Sequence, residues 1–189
     1  MKKIAVFCGS SDGAHKEYKE VAAELGKELA NRGITLVYGG ASVGVMGALA
    51  DSVLRNGGDV IGVIPRLLEE REISHKKLSK LYVVDTMHER KAHMSELADG
   101  FIVLPGGPGT LEEFFEIYTW AQIGIHQKPC GILNINNYFK LLFELLDHMI
   151  DQKFLQERFR SLTIIDNKPE DLLDKLYQFE PLAIKTYLR

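Results

Sequence analysis

The sequence has only two cysteines, Cys8 and Cys130, both inside apolar, strand-like runs. That excludes a disulfide framework and reads as two buried free thiols in a reducing cytoplasm. No apolar run approaches the ~18 residues that a membrane helix needs. Met1-Lys2-Lys3 is followed by a few apolar residues and then by Gly9-Ser10-Ser11-Asp12. That stretch is too short for a signal-peptide core and fits a first strand better, so a cytoplasmic protein without a membrane partner is expected. The six histidines form no Cys/His ligand spacing, and His88 and His93, five apart, do not share a helical face. No metal site is expected. A basic excess is also missing: Lys plus Arg is 23 against 26 for Asp plus Glu, a formal net charge of -3. A binder of the nucleic-acid backbone would carry such an excess, so no nucleic-acid partner is expected. A small phosphorylated ligand stays open, because a local site can be positive on an acidic protein.

Two phosphate-binding motifs are absent as well. After Cys8 the chain reads Gly-Ser-Ser-Asp-Gly, not Gly-x-Gly-x-x-Gly, and no segment matches Gly-x-x-x-x-Gly-Lys-Ser/Thr. The dinucleotide fingerprint and the nucleoside-triphosphatase loop both drop out. There is no internal repeat, low-complexity segment or linker.

What is present is a regular alternation. Short β-branched runs (Ile4–Cys8, Ile34–Tyr38, Asp59–Ile64, Leu81–Val84, Phe101–Leu104, Cys130–Leu133, Leu162–Ile165) are separated by helical patterns. The first helix, about 16–31, repeats Val21, Leu25 and Leu29 and stops at Gly33. The strands lack polar alternation, which predicts a parallel sheet covered on both faces. The expected fold is therefore α/β: a doubly wound parallel sheet of about seven strands with helices on both faces, in a single domain over 1–189. The densely charged stretch 66–80 has no apolar period and reads as a solvated loop or as a flap beside a site. The stretch 138–150 reads as a helix that is apolar on most faces.

Ligands of such sheets bind outside the carboxyl ends of the strands, where strand order reverses. Three strands here end in glycine-bearing turns: Gly9, Gly39-Gly40 and Gly106-Gly107. The last of these, Pro105-Gly106-Gly107-Pro108-Gly109-Thr110-Leu111-Glu112-Glu113, lets the backbone approach a ligand closely and then opens a helix near Thr110. Free N–H groups at that helix start make an anion site that needs no lysine and no metal. A second reading is open. Thr110 and Glu113 have capping-box spacing and can satisfy the helix's own amides. The same box, Thr86 to Glu89, opens the preceding helix.

The pattern Pro-Gly-Gly-x-Gly-Thr-x-x-Glu, the Arg90-Lys91 pair in Met87-His88-Glu89-Arg90-Lys91, and the block Gly39-Gly40…Gly44-Val45-Met46-Gly47 together resemble the Lonely Guy (LOG) family. These are the cytokinin riboside 5′-monophosphate phosphoribohydrolases, whose members long carried the label lysine decarboxylase. The likeness runs from Lys3 to about Leu155. It implies a Rossmann-like homodimer that cleaves the N-glycosidic bond of an N6-substituted adenosine 5′-monophosphate, or of AMP, to free base and ribose 5-phosphate, with no cofactor. Carried over by position, Arg90 and Glu113 match the catalytic pair. Glu72, Lys91, Gly106, Gly107, Pro108, Gly109, Thr110, Leu111, Glu112 and Thr119 match substrate-binding positions, and Gly39 and Gly40 belong to the third block. Pro108 stands where the family often has Tyr.

The chemistry suits those residues. Breaking an N-glycosidic bond puts positive charge on the ribose, and a carboxylate, Glu113, can stabilise it or orient the attacking water. Arg90 cannot readily lose a proton, so it would act by charge and hydrogen bonding toward the base or the phosphate. Two rival readings compete with hydrolysis. A protein of this fold can bind a nucleotide or a cofactor without turnover. A pyridoxal-phosphate decarboxylase would need a Schiff-base lysine at the strand edge, and Lys91 is the only lysine in a matched block.

Overall fold

The inner strands are mostly buried because helices cover both faces of the sheet. A computed structural model describes residues 1–69 and 74–182. In chain order the elements are β1 (Lys3–Phe7), α1 (Glu17–Asn31), β2 (Thr35–Tyr38), α2 (Gly44–Arg55), β3 (Val60–Pro65), the short α3 (Arg66–Glu69) and β4 (Lys80–Val84). They continue with α4 (Met87–Leu97), β5 (Gly100–Val103), α5 (Pro108–Ile123), β6 (Cys130–Leu133), α6 (Lys140–Asp151), β7 (Thr163–Asp166) and α7 (Pro169–Tyr177). Seven parallel strands form one sheet in the order β4-β3-β2-β1-β5-β6-β7. This is the doubly wound α/β fold expected from the sequence.

The pleat of each central strand sorts its residues between two cores. Ile4, Val6 and Cys8 face a core with Leu25 and Leu29 of α1, Leu49 and Val53 of α2, and Leu172 and Leu176 of α7. Ala5 and Phe7 face the opposite core with Met94 of α4, Phe114 and Ile117 of α5, and Leu146 of α6. Nearly all these side chains are fully buried. Each of the larger aliphatic and aromatic ones contributes on the order of 1.5–3 kcal/mol relative to exposure.

Winding reverses between β1 and β5, whose register pairs Phe7 with Val103. Their pairing continues past the strand ends, with the Leu104 amide on the Phe7 carbonyl at 2.9 Å and the Gly9 amide on the Pro105 carbonyl at 3.1 Å. The turns after β1 and β5 are therefore held side by side at the point where this topology places a ligand.

Three local expectations are revised. Helix α5 starts at Pro108, not at Thr110, with Gly107 as its N-cap. Proline suits the first helical position, where an N–H would have no partner. The charged stretch is not wholly a loop: it begins with α3, and Ser74 forms an isolated antiparallel bridge with Ala41. Helix α6 keeps Leu142 and Leu146 buried but leaves Leu141 75% exposed, so it has one apolar face turned inward and some apolar surface turned out.

Candidate active site

Helix α4 starts where the spacing of Thr86 and Glu89 predicts. The Thr86 hydroxyl accepts from the Glu89 amide at 3.1 Å, and the Glu89 carboxylate accepts from the Asp85 amide at 2.9 Å. That cap fixes the rotation of the first turn and turns Arg90 inward. Helix α5 uses no such box. Its N-cap, Gly107, has no side-chain bond. The Thr110 and Leu111 amides donate to the Gly107 carbonyl at 3.0 and 3.3 Å. Thr110 is instead folded against Gly106, where a Cβ would overlap the threonine Oγ1 and come within 2.8 Å of the Gly9 amide nitrogen. The capping-box reading of Thr110 and Glu113 is thus set aside, and Glu113 is released for other work.

Glu113 points into a cavity of about 270 Å³ beside Arg90. Arg90 Nη2 lies 3.4 Å from Glu113 Oε1. That is wider than the ~2.7–2.9 Å of a tight charge-assisted hydrogen bond. Arg90 and Glu113 are only 6% and 5% exposed. Arg90 Nη1 reaches Met87 Sδ at 3.7 Å, and Arg90 Nε is buried without a hydrogen-bond partner among the described residues. A buried guanidinium left this short of acceptors is held ready for one. Room for it comes from the turn after β2: a Cβ at Gly39 would overlap Arg90 Nη2.

Burial pushes the Glu113 carboxyl up to about 7. Arg90 and Lys91 oppose the rise, and Glu112 and Glu116 add to it. Burial also pushes the Cys8 thiol, which lines the same cavity, far above its ordinary value, with Glu113 adding to the rise. Cys8 is therefore no thiolate nucleophile.

Gly107, Pro108, Gly109 and Thr110 complete this deep lobe, so the free end of α5 and the Arg90–Glu113 pair share one space. A second lobe of about 290 Å³ adjoins it through Gly9, Ser10 and Gly107. It is lined by Gly106 and by Tyr18 and Tyr138, whose rings meet edge to face at 5.7 Å. The Tyr138 hydroxyl donates to the Gly106 carbonyl at 2.6 Å and so braces the glycine turn from above.

Other expected site residues lie elsewhere. Lys91 turns away from the cleft, and its ammonium is bound by Glu112 and by Glu116, the latter at 3.1 Å. Burial pulls the Lys91 ammonium down, but the bonds to Glu112 and Glu116 outweigh it and the net shift is upward. Leu111 packs on the core beneath α5. Thr119 is exposed further along α5 and lines neither lobe. Gly39 and Gly40 do not line the cleft either: Gly39 makes space for Arg90, and the Gly40 carbonyl accepts from the His75 amide at 3.0 Å. Glu72 lies outside the described residues.

The family described as "Possible lysine decarboxylase" matches residues 46–176. The probable cytokinin riboside 5′-monophosphate phosphoribohydrolase LOGL6 of Oryza sativa subsp. japonica is 46% identical over 95% of this chain and 72% of its own length. LOG7 of Arabidopsis thaliana, a cytokinin riboside 5′-monophosphate phosphoribohydrolase, is 46% identical over 95% of this chain and 83% of its own. The chain belongs to the LOG family. Among solved structures, a molybdenum cofactor binding protein from Rippkaea orientalis superposes with a TM-score of 0.71 at 22% identity, covering 94% of this chain and 97% of that one. The molybdenum cofactor carrier protein of Chlamydomonas reinhardtii gives 0.69 at 20% identity, covering 93% and 96%. At that identity the likeness is one of fold.

The departure of this LOG sequence at Pro108 has a structural account. Proline at the first helical position stiffens the start of α5 at no cost in hydrogen bonds, but it removes one free amide from the open end of the helix. The cleft is also lined by residues that were not expected in the site. Met46 and Met87, inside the matched blocks, and Ser10 line the deep lobe, and Tyr18 and Tyr138 line the second. The position of Gly9-Ser10 at a strand end is a signal that sequence alone offered. Tyr138, far along the chain from the glycine turn it braces, offered none.

Proposed function

We propose that this chain hydrolyses the N-glycosidic bond of N6-substituted adenosine 5′-monophosphates, the cytokinin riboside 5′-monophosphates, or of AMP, releasing the free base and ribose 5-phosphate. The observation that carries this reading is the buried Arg90–Glu113 pair at the open start of α5. The helix start offers its amides, with Thr110 beside them, to a 5′-phosphate. A ribose held by that phosphate places its anomeric carbon within the deep lobe. As the bond to the base stretches, positive charge grows on the sugar, and the buried Glu113 carboxylate opposes it. The same carboxylate can orient and deprotonate water, which supplies hydroxyl to the anomeric carbon and, in balance, a proton to the departing base. Arg90 contributes charge and hydrogen bonds through its unpartnered face and gives up no proton.

A decarboxylase reading has no support in the cleft. No lysine lines either lobe among the described residues. A Schiff-base lysine must be neutral to react, whereas the Lys91 ammonium is held charged by two carboxylates. A homodimer working in the cytoplasm belongs to the proposal. Thr119, exposed on α5, can meet a cleft only in a second copy, and Cys8 and Cys130 are buried free thiols. No helix among the described residues is long and apolar enough to cross a membrane.

The test is product analysis with AMP, N6-isopentenyl-AMP and the matching ribonucleosides. Free base and ribose 5-phosphate are expected from the monophosphates, and nothing from the ribonucleosides. Bound but intact nucleotide would replace the hydrolase with a carrier.

A further inference from the structure

Arg90 and Lys91 are neighbours on α4, so their side chains leave the helix about 100° apart. Arg90 enters the cleft. Lys91 meets the outer side of α5, where Glu112 and Glu116 stand one turn apart and share its ammonium. Glu113 lies between those two acids in sequence and turns the other way, into the deep lobe. Lys91 is 6% exposed at its side chain, Glu116 23% and Glu112 53%.

One carboxylate would neutralise Lys91. The second leaves the cluster with a net negative charge within a turn of a buried carboxylate, an arrangement that costs stability and is typical of sites where ionisation is tuned. We propose that Glu116, together with Lys91 and Glu112, is a positioning residue of the reaction: the three charges lock α4 against α5 from outside the cleft and tune the ionisation of Glu113 within it. This rests on the reading of Glu113 as the reacting carboxylate. The charged and titratable groups that face Glu113 are Arg90 and Lys91 from α4, Cys8 at the end of β1, and Glu112 and Glu116 on its own helix. Burial raises the Glu113 pKa most; Arg90 and Lys91 pull it down, Glu112 pushes it up, and Glu116 adds the smallest upward push. Lys91 is accordingly a clamp, and its ammonium has no reach to substrate while both acids hold it.

The experiment measures kcat/KM for AMP against pH and, on the same proteins without substrate, the 13C-NMR titration of the Glu113 carboxyl. Glu116→Gln keeps the Lys91–Glu112 pair and the side-chain volume. It should move the inflection down by roughly half a pH unit, the scale of one unit charge near a protein surface. Glu116→Asp should restore the wild-type inflection. Lys91→Met should move it up by a similar amount, with KM for AMP changed less than threefold. Unmoved inflections in Glu116→Gln and Lys91→Met would overturn the proposal and leave the hydrolase intact. A tenfold rise of KM in Lys91→Met with a fixed inflection would overturn it by making Lys91 a substrate contact. An NMR shift without turnover in any protein, wild type included, would keep the coupling and remove the hydrolase.

Discussion

Arg90 Nη2 and Glu113 Oε1 face each other at 3.4 Å in the deep lobe, and among the described residues neither side chain has another full-strength partner there. Two opposite charges this poorly satisfied are an unstable resting state that an anionic, cation-forming ligand would complete. Glu113→Gln keeps the shape and the hydrogen-bonding capacity and removes the charge. Turnover of AMP should fall by at least roughly 10²-fold, the scale of one key electrostatic stabiliser. The far-ultraviolet circular dichroism should stay that of the wild type. Near wild-type turnover would assign the work to another acid.

The ionisation of Glu113 has consequences for both rate and stability. Its carboxyl sits at about 7 in the folded chain, against an ordinary 4.5. If the carboxylate is the working form, kcat/KM should rise from pH 6 to pH 8 with an inflection near 7. Stability runs the other way. A carboxyl whose folded pKa is raised keeps its proton longer when folded than when unfolded. The folded state therefore loses ground as pH climbs through the interval from 4.5 to 7, then levels off. Between pH 4.5 and 8 the wild type should lose up to roughly 3 kcal/mol relative to Glu113→Gln. Urea unfolding of both proteins across that range reads the difference, and parallel curves would mean that Glu113 is not buried as described.

Gly39→Ala tests how Arg90 is seated. The new Cβ would occupy the place of Nη2, so the guanidinium must shift while the backbone just past β2 stays. We expect kcat to fall by more than tenfold with a loss of less than about 2 kcal/mol in stability. Equal losses of activity and fold would point to a purely structural glycine.

The outline of the fold was legible because buried parallel strands announce themselves as unbroken apolar runs, and Ile4–Cys8 and Phe101–Leu104 are such runs. The start of α5 was read two residues late, since Thr110 carries a capping signature while the true N-cap, Gly107, has no side chain to show. That Arg90 and Glu113 meet in the cleft was legible through their motifs. The direction of Lys91 was not. Adjacent residues on a helix diverge, and only the rotation of α4 decides that Arg90 enters the cleft and Lys91 leaves it. Thr119 shows the same limit, because a matched position says nothing about whether its side chain reaches the cleft, and Thr119 lines neither lobe.

Tyr138→Phe isolates the brace on the glycine turn. It removes the bond to the Gly106 carbonyl and keeps the ring beside Tyr18. About 1 kcal/mol of stability should go with the hydroxyl. The looser turn should raise KM for AMP several-fold and leave kcat within twofold, because Arg90 and Glu113 are held by other elements. A fall in kcat with an unchanged KM would place Tyr138 in the chemical step.

Pro108 sets two effects against each other. At the first helical position its ring holds the backbone in the helical range and limits the unfolded chain, so Pro108→Ala should cost about 0.4–1 kcal/mol. The alanine also restores an N–H at the mouth of the deep lobe, next to the amides of Gly107 and Gly109. If the 5′-phosphate is gripped there, the extra donor should tighten binding of inorganic phosphate and of ribose 5-phosphate, lowering both inhibition constants by about fivefold, equivalent to one modest hydrogen bond. The substituted protein would then be less stable and bind phosphate better, a combination that loosened packing alone does not produce. Weaker phosphate inhibition in Pro108→Ala would move the phosphate away from the start of α5, and the placement of the ribose against Glu113 would have to be rebuilt from another anchor.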